Sequence, residues 1–342
     1  MRAVTVAKHG GPEVLGVRDV PLPAVGPGQT RVSVEASGVS YADLLLRAGA
    51  HPAVHPHVPF VLGWDFVGRV EESRDPRWRP GDRVAGLSVL GGNAEEIVVP
   101  GESLVPCPEE VDAASAACLV LDYMTAYQML HRCTHVSRGQ TVLVHGAAGG
   151  VGTAALQLAR IAGLRAFGTA RREQLDDVRQ LGARPIDFEH EDAVAILQRE
   201  AGGADVVLDA IGGAHLFESM RAAKRSGTVV FYGWMNLRGG RATFGRKLSA
   251  WISALAALAK GKLTRPGRFR IYSIQRLARR RPDWFHEDLA RLFDLLARGE
   301  IHPHVSDRVP LDQVRAVHER LARGERGKFV LLPPMHEAPA PA

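Results

Sequence analysis

The residues best suited to chemistry lie in one glycine-rich segment, VLVHGAAGGVG, at positions 142–152. Glycine lets the backbone approach a ligand closely, and the first N–H groups of a helix attract negative charge. In dinucleotide-binding proteins a turn of this kind binds a pyrophosphate. The residues predicted to contact it are Gly149, Gly150, Val151 and Gly152.

A strand and a helix must hold this turn in place. The apolar run at 142–144 predicts a buried parallel strand before the turn. After the turn, residues 153–163 carry apolar side chains at helical spacing, and residues 165–170 predict a second strand. Strand, turn, helix and strand make the first half of a doubly wound dinucleotide-binding unit.

The end of the second predicted strand discriminates between the two nicotinamide cofactors. Chains that bind NAD usually carry an acid there, which hydrogen-bonds the ribose 2′-hydroxyl. Here Thr169 is followed by Ala170, Arg171 and Arg172, and only then by Glu173. Arginine offers charge and paired donors to a 2′-phosphate, so we predict NADPH, with Thr169, Arg171 and Arg172 in contact with it. Alternatively, the two arginines only begin a solvated helix.

Composition limits the class of protein. The chain has 342 residues, enough for about two domains, and 46% of them are apolar. No stretch has the roughly 18 uninterrupted apolar residues of a membrane span, and MRAVTVAKHG lacks the apolar core of a signal peptide. Three cysteines without CxxC spacing argue for a reducing compartment. We therefore expect a soluble cytoplasmic protein without membrane contact.

The character of the sequence changes along the chain. Residues 1–110 are rich in Gly, Pro and alternating apolar positions, which predicts a β-rich unit. From about residue 111, helical patterns alternate with short apolar runs, which predicts a parallel sheet covered by helices. Residues 301–334 are again β-rich, and the tail PPMHEAPAPA is predicted to be disordered. The predicted domains are 1–118 with 280–342, and 119–279.

Residues 244–262 form one long apolar helical pattern. Its large apolar residues share a face: Leu248, Trp251, Ile252, Leu255 and Leu258. We expect this face to pack against the sheet or against a second subunit. Alternatively, it covers an apolar substrate cleft.

Two further clusters have less specific interpretations. His51, His55 and His57 have a spacing compatible with metal binding, but no thiolate or carboxylate is close to them in sequence. Four arginines within 276–281 suit nucleic-acid phosphates, yet no nucleic-acid motif accompanies them. We interpret both clusters as solvated surface and expect neither a metal nor a nucleic acid as ligand.

Together the motifs resemble a medium-chain dehydrogenase/reductase, in its zinc-free quinone oxidoreductase (zeta-crystallin-like) branch. The resemblance covers nearly the whole chain. It rests on VEASGVSYADLLLRAG (34–49), PFVLGWDFVGRV (59–70), RPGDRVAG (79–86), GGNAEEIVVP (91–100), LDYMTAYQML (121–130), the glycine-rich segment, GTVVFYG (227–233) and RGKFVLLP (326–333). It implies an α/β fold with a GroES-like β-rich catalytic domain and a Rossmann doubly wound parallel-sheet domain. It also implies NADPH in the cleft between the domains, and a homodimer.

The resemblance implies further cofactor contacts. Thr125 should hydrogen-bond the cofactor, and Ser40 takes the place of the usual Asn beside the nicotinamide. Phe188 stands where relatives often have a Tyr near the adenine phosphate. The remaining implied contacts are Ile211, Tyr232, Gly233 and Lys328.

Zinc-dependent relatives need a thiolate and an imidazole at two positions that here hold Ser40 and Trp64. A hydroxyl and an indole cannot replace these zinc ligands, and the four-cysteine structural lobe is also missing. We therefore expect no zinc. Without it, the easier reaction is reduction of an already polarised acceptor, which needs mainly an oriented hydride.

The source of the proton stays open. His51 takes the position of a Tyr found in several enoyl-reducing relatives, and its unperturbed pKa of about 6.5 suits proton donation. Tyr41 is a second catalytic candidate, and water is the alternative to both. The residues expected to line an apolar, aromatic substrate cleft are Tyr41, Trp64, Trp234, Met235 and Trp251.

These features predict a zinc-independent, NADPH-dependent oxidoreductase that transfers hydride to a quinone or to the activated C=C bond of an enone. One alternative is a tailoring reductase that acts on a large polyketide-like substrate. The other is a non-catalytic member of the same fold that contacts RNA through its arginines.

Overall fold

The computed structural model describes residues 1–237, 244–264 and 268–334, so most of the tail predicted to be disordered lies outside the described residues. Contacts divide the chain into two compact units, Met1–Leu121 with Pro282–Ala342, and Asp122–Arg281. The sequence prediction set these boundaries at 118/119 and 279/280. None of the described helices is long and apolar enough to cross a membrane.

The amino-terminal part of the first unit consists mainly of strands. They are β1 (Arg2–Val6), β2 (Leu15–Asp19), β3 (Gln29–Val39), β4 (Phe60–Val61), β5 (Asp65–Ser73), β6 (Arg83–Leu87), β7 (Glu96–Pro100) and β8 (Leu104–Pro106). The helices are α1 (Tyr41–Arg47) and α2 (Ala113–Cys118). Strand β3 is central because it pairs with both β5 and β7, and its alternate residues Val32 and Val34 are buried.

The second unit alternates strands and helices. Its strands are β9 (Thr141–His145), β10 (Arg165–Ala170), β11 (Arg184–Asp187), β12 (Ala204–Asp209), β13 (Ala223–Phe231) and β14 (Phe269–Ile271). Its helices are α3 (Met124–Tyr127), α4 (Gly150–Ile161), α5 (Leu175–Gln180), α6 (Ala193–Ala201), α7 (His215–Ala222), α8 (Phe244–Thr264) and α9 (Ile274–Arg280). Turns of π-helix at Leu119–Tyr123 and Gln128–Cys133 flank α3.

The strands of the second unit form one parallel sheet in the order β11-β10-β9-β12-β13-β14. The chain first moves outward from β9 to β11 and then returns to continue on the other side of β9 with β12. The carboxyl end of β9 is therefore a topological switch point, where open α/β sheets bind their ligands.

The chain after the second unit completes the first one. It forms α10 (Pro282–Ala297), β15 (Val305–Pro310), α11 (Val314–Arg323) and β16 (Lys328–Leu332). Strand β16 pairs antiparallel with β3 and parallel with β15. The resulting sheet has the order β15-β16-β3-β5-β6-β8, with β7 on β3, while β2, β1 and β4 form a separate sheet.

Helix α8 packs on the sheet through other residues than those predicted for 244–262, while packing on a second subunit or over a substrate cleft stays a prediction. Its sheet-facing residues are small, since Ala254 and Ala257 are buried and a side chain at Gly261 would collide with Phe269 of β14. Of the large residues predicted to pack on the sheet or on a second subunit, Leu258 packs against the core of the sheet, whereas Leu248, Trp251, Ile252 and Leu255 are exposed. Small side chains let the helix backbone approach the sheet closely, which turns the large ones outward.

Candidate active site

The glycine turn lies at the carboxyl end of β9 and is fastened by the neighbouring strand β10. Gly146 adopts φ +69°, a left-handed conformation that favours glycine. Its N–H donates to Thr169 Oγ1 at 3.3 Å, and the N–H of Ala147 donates to the Thr169 carbonyl at 2.9 Å. Thr169 is buried, so its hydroxyl supports the turn.

The glycines that follow have different surroundings. A side chain at Gly152 would collide with the Gly146 carbonyl, and one at Gly150 would meet the carboxylate of Asp122. At Gly149 the nearest atom to an added Cβ is the Gly146 carbonyl oxygen at 3.4 Å, an ordinary contact. Gly149 precedes α4, is exposed, and leaves space for a ligand at the helix N-terminus.

The end of β10 carries the predicted arginines. The Arg172 side chain is 74% exposed, and its Nε lies 3.4 Å from Asp187 Oδ2. The ring of Phe188 is exposed, and its backbone N–H donates to the carbonyl of Ala170 at 3.3 Å. The structure thus brings Arg172 and Phe188 to the ends of the neighbouring strands β10 and β11.

Asp187, at the end of β11, was not predicted as a site residue because β11 itself was not predicted. Burial raises the pKa of Asp187, but hydrogen bonds from the Glu189 N–H, His190 and Arg172 lower it more, so the net shift is downward. Among the described residues, Asp187, Glu189 and His190 are the one group of three potential metal ligands, and two of them are exposed. The histidines at 51, 55 and 57 form no such group in this part of the chain.

Residues after β12 and β13 reach the same edge of the sheet. Asp209 accepts hydrogen bonds from the N–H groups of Ile211 at 2.7 Å and Gly212 at 2.9 Å, and the Tyr232 N–H donates to the Asp209 carbonyl at 3.0 Å. A side chain at Gly233 would collide with Ala210. The predicted contacts Ile211, Tyr232 and Gly233 are therefore held close to the strand ends.

The apolar residues predicted to line the cleft in this unit form a connected group. Met235 Sδ lies 3.7 Å from the position of a Cβ on Gly146. The Trp234 ring contacts those of Phe231 and Trp251, with centroids 4.9 Å and 5.0 Å apart. Trp251 of α8 is thus linked through Trp234 to the end of β13.

A buried histidine and carboxylate cluster beside the turn was missed by the sequence analysis. The His145 and His215 rings meet edge to face with centroids 4.3 Å apart, and His215 Nδ1 lies 3.0 Å from Asp209 Oδ2. Burial, and then the charge of His215, lower the pKa of His145 to about 3, so its ring is neutral. His145 Nδ1 lies 3.2 Å from Thr169 Oγ1, which couples the cluster to the residue that fastens the turn.

Thr125, the remaining predicted cofactor residue of this unit, lies in α3 and is buried. Asp122, just before α3, is the carboxylate that faces Gly150. An acid at the start of α4 complements the positive end of the helix dipole. No local pattern in the sequence predicts this contact.

In the first unit, Ser40 and Asp43 form a buried pair at the start of α1. The Asp43 Oδ2 atom accepts from the Ser40 N–H at 2.8 Å and from the Ser40 hydroxyl at 2.7 Å. Its other oxygen has no hydrogen-bond partner among the described residues. Burial is the main cause that raises the pKa of Asp43, to about 6, with a smaller contribution from Asp65. Asp43 therefore gains a proton under mildly acidic conditions, next to a hydroxyl that can pass it on.

Lys328, a predicted cofactor contact, forms a buried ion pair. Its Nζ lies 2.8 Å from Asp65 Oδ2, and Asp65 Oδ1 accepts from the Gly38 N–H at 2.6 Å. Any side chain at Gly38 would collide with both Lys328 and Asp65. The pair joins β16 to β5.

His51 does not have the properties expected of a general acid. Its Nδ1 accepts from the N–H groups of Ala53 at 3.2 Å and Val54 at 3.0 Å, so the proton of the neutral ring lies on Nε2. Burial, and then the charge of His55, lower the pKa of His51 to about 4. The prediction assumed an ordinary pKa, and near neutral pH this imidazole can donate a hydrogen bond but is not the acidic imidazolium.

Trp64 and Tyr41 complete the predicted residues of this unit. The Trp64 ring is buried and lies against His51, with centroids 5.4 Å apart. Its indole N–H has no partner within the described part of the chain. Tyr41 is the first residue of α1, directly after Ser40, and is partly buried.

Comparison with known proteins identifies the family. Residues 26–109 match the family model of the alcohol dehydrogenase GroES-like domain, and residues 181–331 match that of zinc-binding dehydrogenases. The chain is 32% identical to the human synaptic vesicle membrane protein VAT-1 homolog, over 97% of this chain and 86% of that one. It is 30% identical to human quinone oxidoreductase, over 97% of this chain and 98% of that one. The Escherichia coli quinone oxidoreductase complexed with NADPH has a similar structure, with a TM-score of 0.84 and 26% identity over 97% of this chain and 100% of that one.

A GroES-like unit and a doubly wound sheet with a glycine turn at its switch point define an oxidoreductase of the medium-chain dehydrogenase/reductase superfamily. The chain belongs to the zinc-free quinone oxidoreductase branch of that superfamily. The predicted family and the predicted α/β fold are confirmed.

The residues of this chain do not fit the zinc ion in the name of one matching family. Ser40 directs its hydroxyl to Asp43, and Trp64 offers an N–H donor instead of a lone pair. Asp65 is already paired with Lys328. Across the described residues, no group of three potential ligands includes any of these side chains.

Proposed function

We propose that this protein is a zinc-independent, NADPH-dependent reductase of quinones or of the activated C=C bond of enones. The observation that carries the cofactor choice is the pair Arg171 and Arg172 at the end of β10, with no acid before Glu173. An acid at this place would repel a 2′-phosphate, whereas guanidinium groups bind it with charge-assisted hydrogen bonds. The NADPH complex of the related Escherichia coli enzyme supports the same choice.

The second unit would hold the cofactor by its backbone. The pyrophosphate would lie at the N-terminus of α4, over Gly149, because the structure leaves space there. The nicotinamide end would reach the ends of β12 and β13, near Ile211 and Tyr232. Bound NADPH supplies the hydride, and the protein contributes mainly orientation and exclusion of water.

The apolar residues beside the turn support the proposed substrate class. Met235 lies next to Gly146, and Trp234 contacts Trp251. Aromatic and thioether surfaces suit a flat conjugated acceptor such as a quinone or an aryl enone. Such acceptors are already polarised, so they need no metal.

The proton would come from the neighbourhood of Ser40. Hydride addition leaves negative charge on the acceptor, and a proton must then reach an oxygen or the α-carbon. Tyr41 remains a candidate donor. Asp43 is a buried carboxyl group with a raised pKa, and it accepts a hydrogen bond from the Ser40 hydroxyl, through which a proton could be relayed. His51 would orient a group through Nε2–H.

The first experiment is a fluorescence titration with NADPH and, separately, with NADH. We expect tight binding of NADPH and weak binding of NADH. Replacing Arg171 and Arg172 by Ala should weaken NADPH binding by about 10- to 100-fold and leave NADH almost unchanged, because charge-assisted hydrogen bonds are lost. Equal losses for the two cofactors would show that neither arginine contacts the 2′-phosphate.

The second step measures NADPH oxidation with simple quinones, simple enones and bulky polycyclic enones. Turnover of the simple acceptors supports the proposed function. Turnover of bulky acceptors alone would indicate a tailoring reductase. Absence of cofactor binding together with salt-sensitive RNA binding would indicate a non-catalytic protein.

A further inference from the structure

Asp209 is a fully buried carboxylate to which the proposed reaction gives no part. It is the last residue of β12, and its side chain has no exposed surface. Strand β12 pairs with β9, so Asp209 stands at the carboxyl edge of the sheet, beside the strand that leads into the glycine turn. Burial of a charge is costly unless hydrogen bonds compensate it. The bonds of this carboxylate therefore indicate what it holds in place.

One oxygen of Asp209 fixes the loop that follows β12. Oδ1 accepts from the N–H of Ile211 at 2.7 Å and from the N–H of Gly212 at 2.9 Å. Gly212 has φ +78°, and a side chain there would collide with the ring of Phe231. The loop is thus held in a left-handed turn, and two of its N–H groups depend on this one oxygen.

The other oxygen of Asp209 is held by helix α7. Oδ2 accepts from the Ser219 hydroxyl at 2.5 Å and lies 3.0 Å from His215 Nδ1. The ring of His145 packs edge to face on that of His215. These contacts fix the plane of the carboxylate and keep Oδ1 directed at the loop. The buried histidine and carboxylate cluster therefore supports the loop after β12.

The position of this loop matters if the proposed cofactor binds. Arg171 and Arg172 follow β10, on one side of β9, and there they would bind the 2′-phosphate of the adenosine half. A dinucleotide crosses the switch point, so its nicotinamide half lies over the ends of β12 and β13, on the other side of β9. At this edge the carbonyl of Ile211 also accepts from the N–H of Asn236 at 3.0 Å, which joins the loop to the segment after β13.

We propose that Asp209 is a positioning residue for the nicotinamide half of the cofactor. It does not touch the cofactor, because it is buried and both of its oxygens are engaged; it acts through the N–H groups of Ile211 and Gly212. The inference rests on the proposed binding of NADPH. The glycine turn has its own bonds to Thr169, so loss of the carboxylate should leave the adenosine half almost undisturbed.

The test compares two ligands of the full chain, NADPH and adenosine 2′,5′-bisphosphate, which lacks the nicotinamide half. Asp209→Ala should weaken NADPH binding about tenfold or more, because the loop loses the acceptor of two N–H groups. Binding of the bisphosphate should change less than about twofold, because its site is separate. Isothermal titration calorimetry measures both affinities. The fluorescence of NADPH at saturation should also move toward that of free NADPH, because the nicotinamide is no longer held.

Two further variants separate positioning from loss of the fold. Asp209→Asn keeps an oxygen for the N–H groups of Ile211 and Gly212, so it should restore most of the NADPH affinity that Asp209→Ala loses. Ser219→Ala keeps the carboxylate but removes one bond that orients it. It should weaken NADPH binding about threefold or more without affecting the bisphosphate, and it replaces Asp209→Ala if that variant does not fold.

The matched control is Asp205→Ala, at the start of the same strand. Asp205 also accepts two hydrogen bonds, from the Thr141 N–H and from the Lys224 ammonium, both at 2.8 Å. Its loss should therefore reduce stability as well. Asp205 lies at the amino edge of the sheet, away from the switch point, so both affinities should stay unchanged.

Three outcomes would overturn the inference. The first is an equal loss of affinity for both ligands in Asp209→Ala or Ser219→Ala, which would show a general disturbance of the unit. The second is a selective loss of NADPH affinity in Asp205→Ala. Both of these leave the proposed function standing. The third is failure of the parent protein to bind either ligand, which would overturn the proposed function too.

Discussion

Gly149, Gly150 and Gly152 stand close together in the glycine turn but are constrained in different ways. Gly150 and Gly152 have no room for a side chain, because Asp122 and the Gly146 carbonyl fill the space. Gly149 has ordinary backbone angles, φ −78° and ψ 172°, and an unobstructed Cβ position. It is therefore the position at which ligand contact can be tested without disturbing the packing.

Gly149→Val should leave thermal stability nearly unchanged and weaken NADPH binding by about 10- to 100-fold, because a side chain there displaces the pyrophosphate from its N–H donors. Fluorescence titration and a thermal melt measure the two effects. Gly245→Val, at another glycine with open space around it, is the control. Unchanged affinity in Gly149→Val would place the pyrophosphate elsewhere.

Asp43 should make stability depend on pH. Its pKa rises from 3.8 to about 6 on folding, so between these values the folded state binds more protons than the unfolded one. The free energy of unfolding should therefore fall as pH rises through this window, by up to about 3 kcal/mol from this group. Urea unfolding at several pH values should show the fall in the parent protein and a flatter profile in Asp43→Asn. Parallel profiles would contradict the raised pKa.

The glycine turn follows β9 in the chain, but its hydrogen bonds to Thr169 of β10 also hold it in place. Thr169→Val keeps the shape but leaves the Gly146 N–H without its acceptor. We expect a loss of about 1–3 kcal/mol in stability and weaker binding of NADPH and NADH alike. Thr5→Val, which loses a buried hydroxyl bond to the Gly16 carbonyl in the first unit, should reduce stability without changing cofactor affinity. Unchanged affinity in Thr169→Val would show that the turn keeps its shape without this bond.

Which elements the sequence predicts depends on how long and how regular their apolar pattern is. Strand β9 was predicted from its uninterrupted apolar run, and β10, with the sequence RAFGTA, was predicted because it follows the glycine turn and the helical pattern after it. Strand β11 is only RPID, four residues with a proline, and offers no such pattern. For α8 the period located the apolar face correctly, but it could not say that Ala254 and Ala257 would be the covered side.

The same limit applies to the site. The glycine turn and the arginines at the end of β10 each lie in one continuous stretch of sequence, so the sequence alone predicts them. The cluster of His145, Asp209 and His215 forms only because β9 and β12 are neighbours in the sheet. No local sequence pattern predicts that pairing, so the cluster could not be predicted. The lowered pKa of His51 is likewise a property of its surroundings and not of its residue type.

For the whole molecule, the predicted homodimer stays a prediction. Equilibrium sedimentation should give twice the chain mass of 37.0 kDa at micromolar concentration. A single-chain mass in the presence of NADPH would contradict it.

The buried pair of Lys328 and Asp65 has a consequence for biosynthesis. Asp65 emerges from the ribosome before the second unit, whereas its cation Lys328 belongs to β16, and the whole second unit is translated between them. Until β16 is made, the amino-terminal segment would have to bury an uncompensated carboxylate, which costs several kcal/mol. Completion of the first unit is thereby tied to the translation of β16, which follows the whole second unit, while the uninterrupted second unit has all of its described strands beforehand.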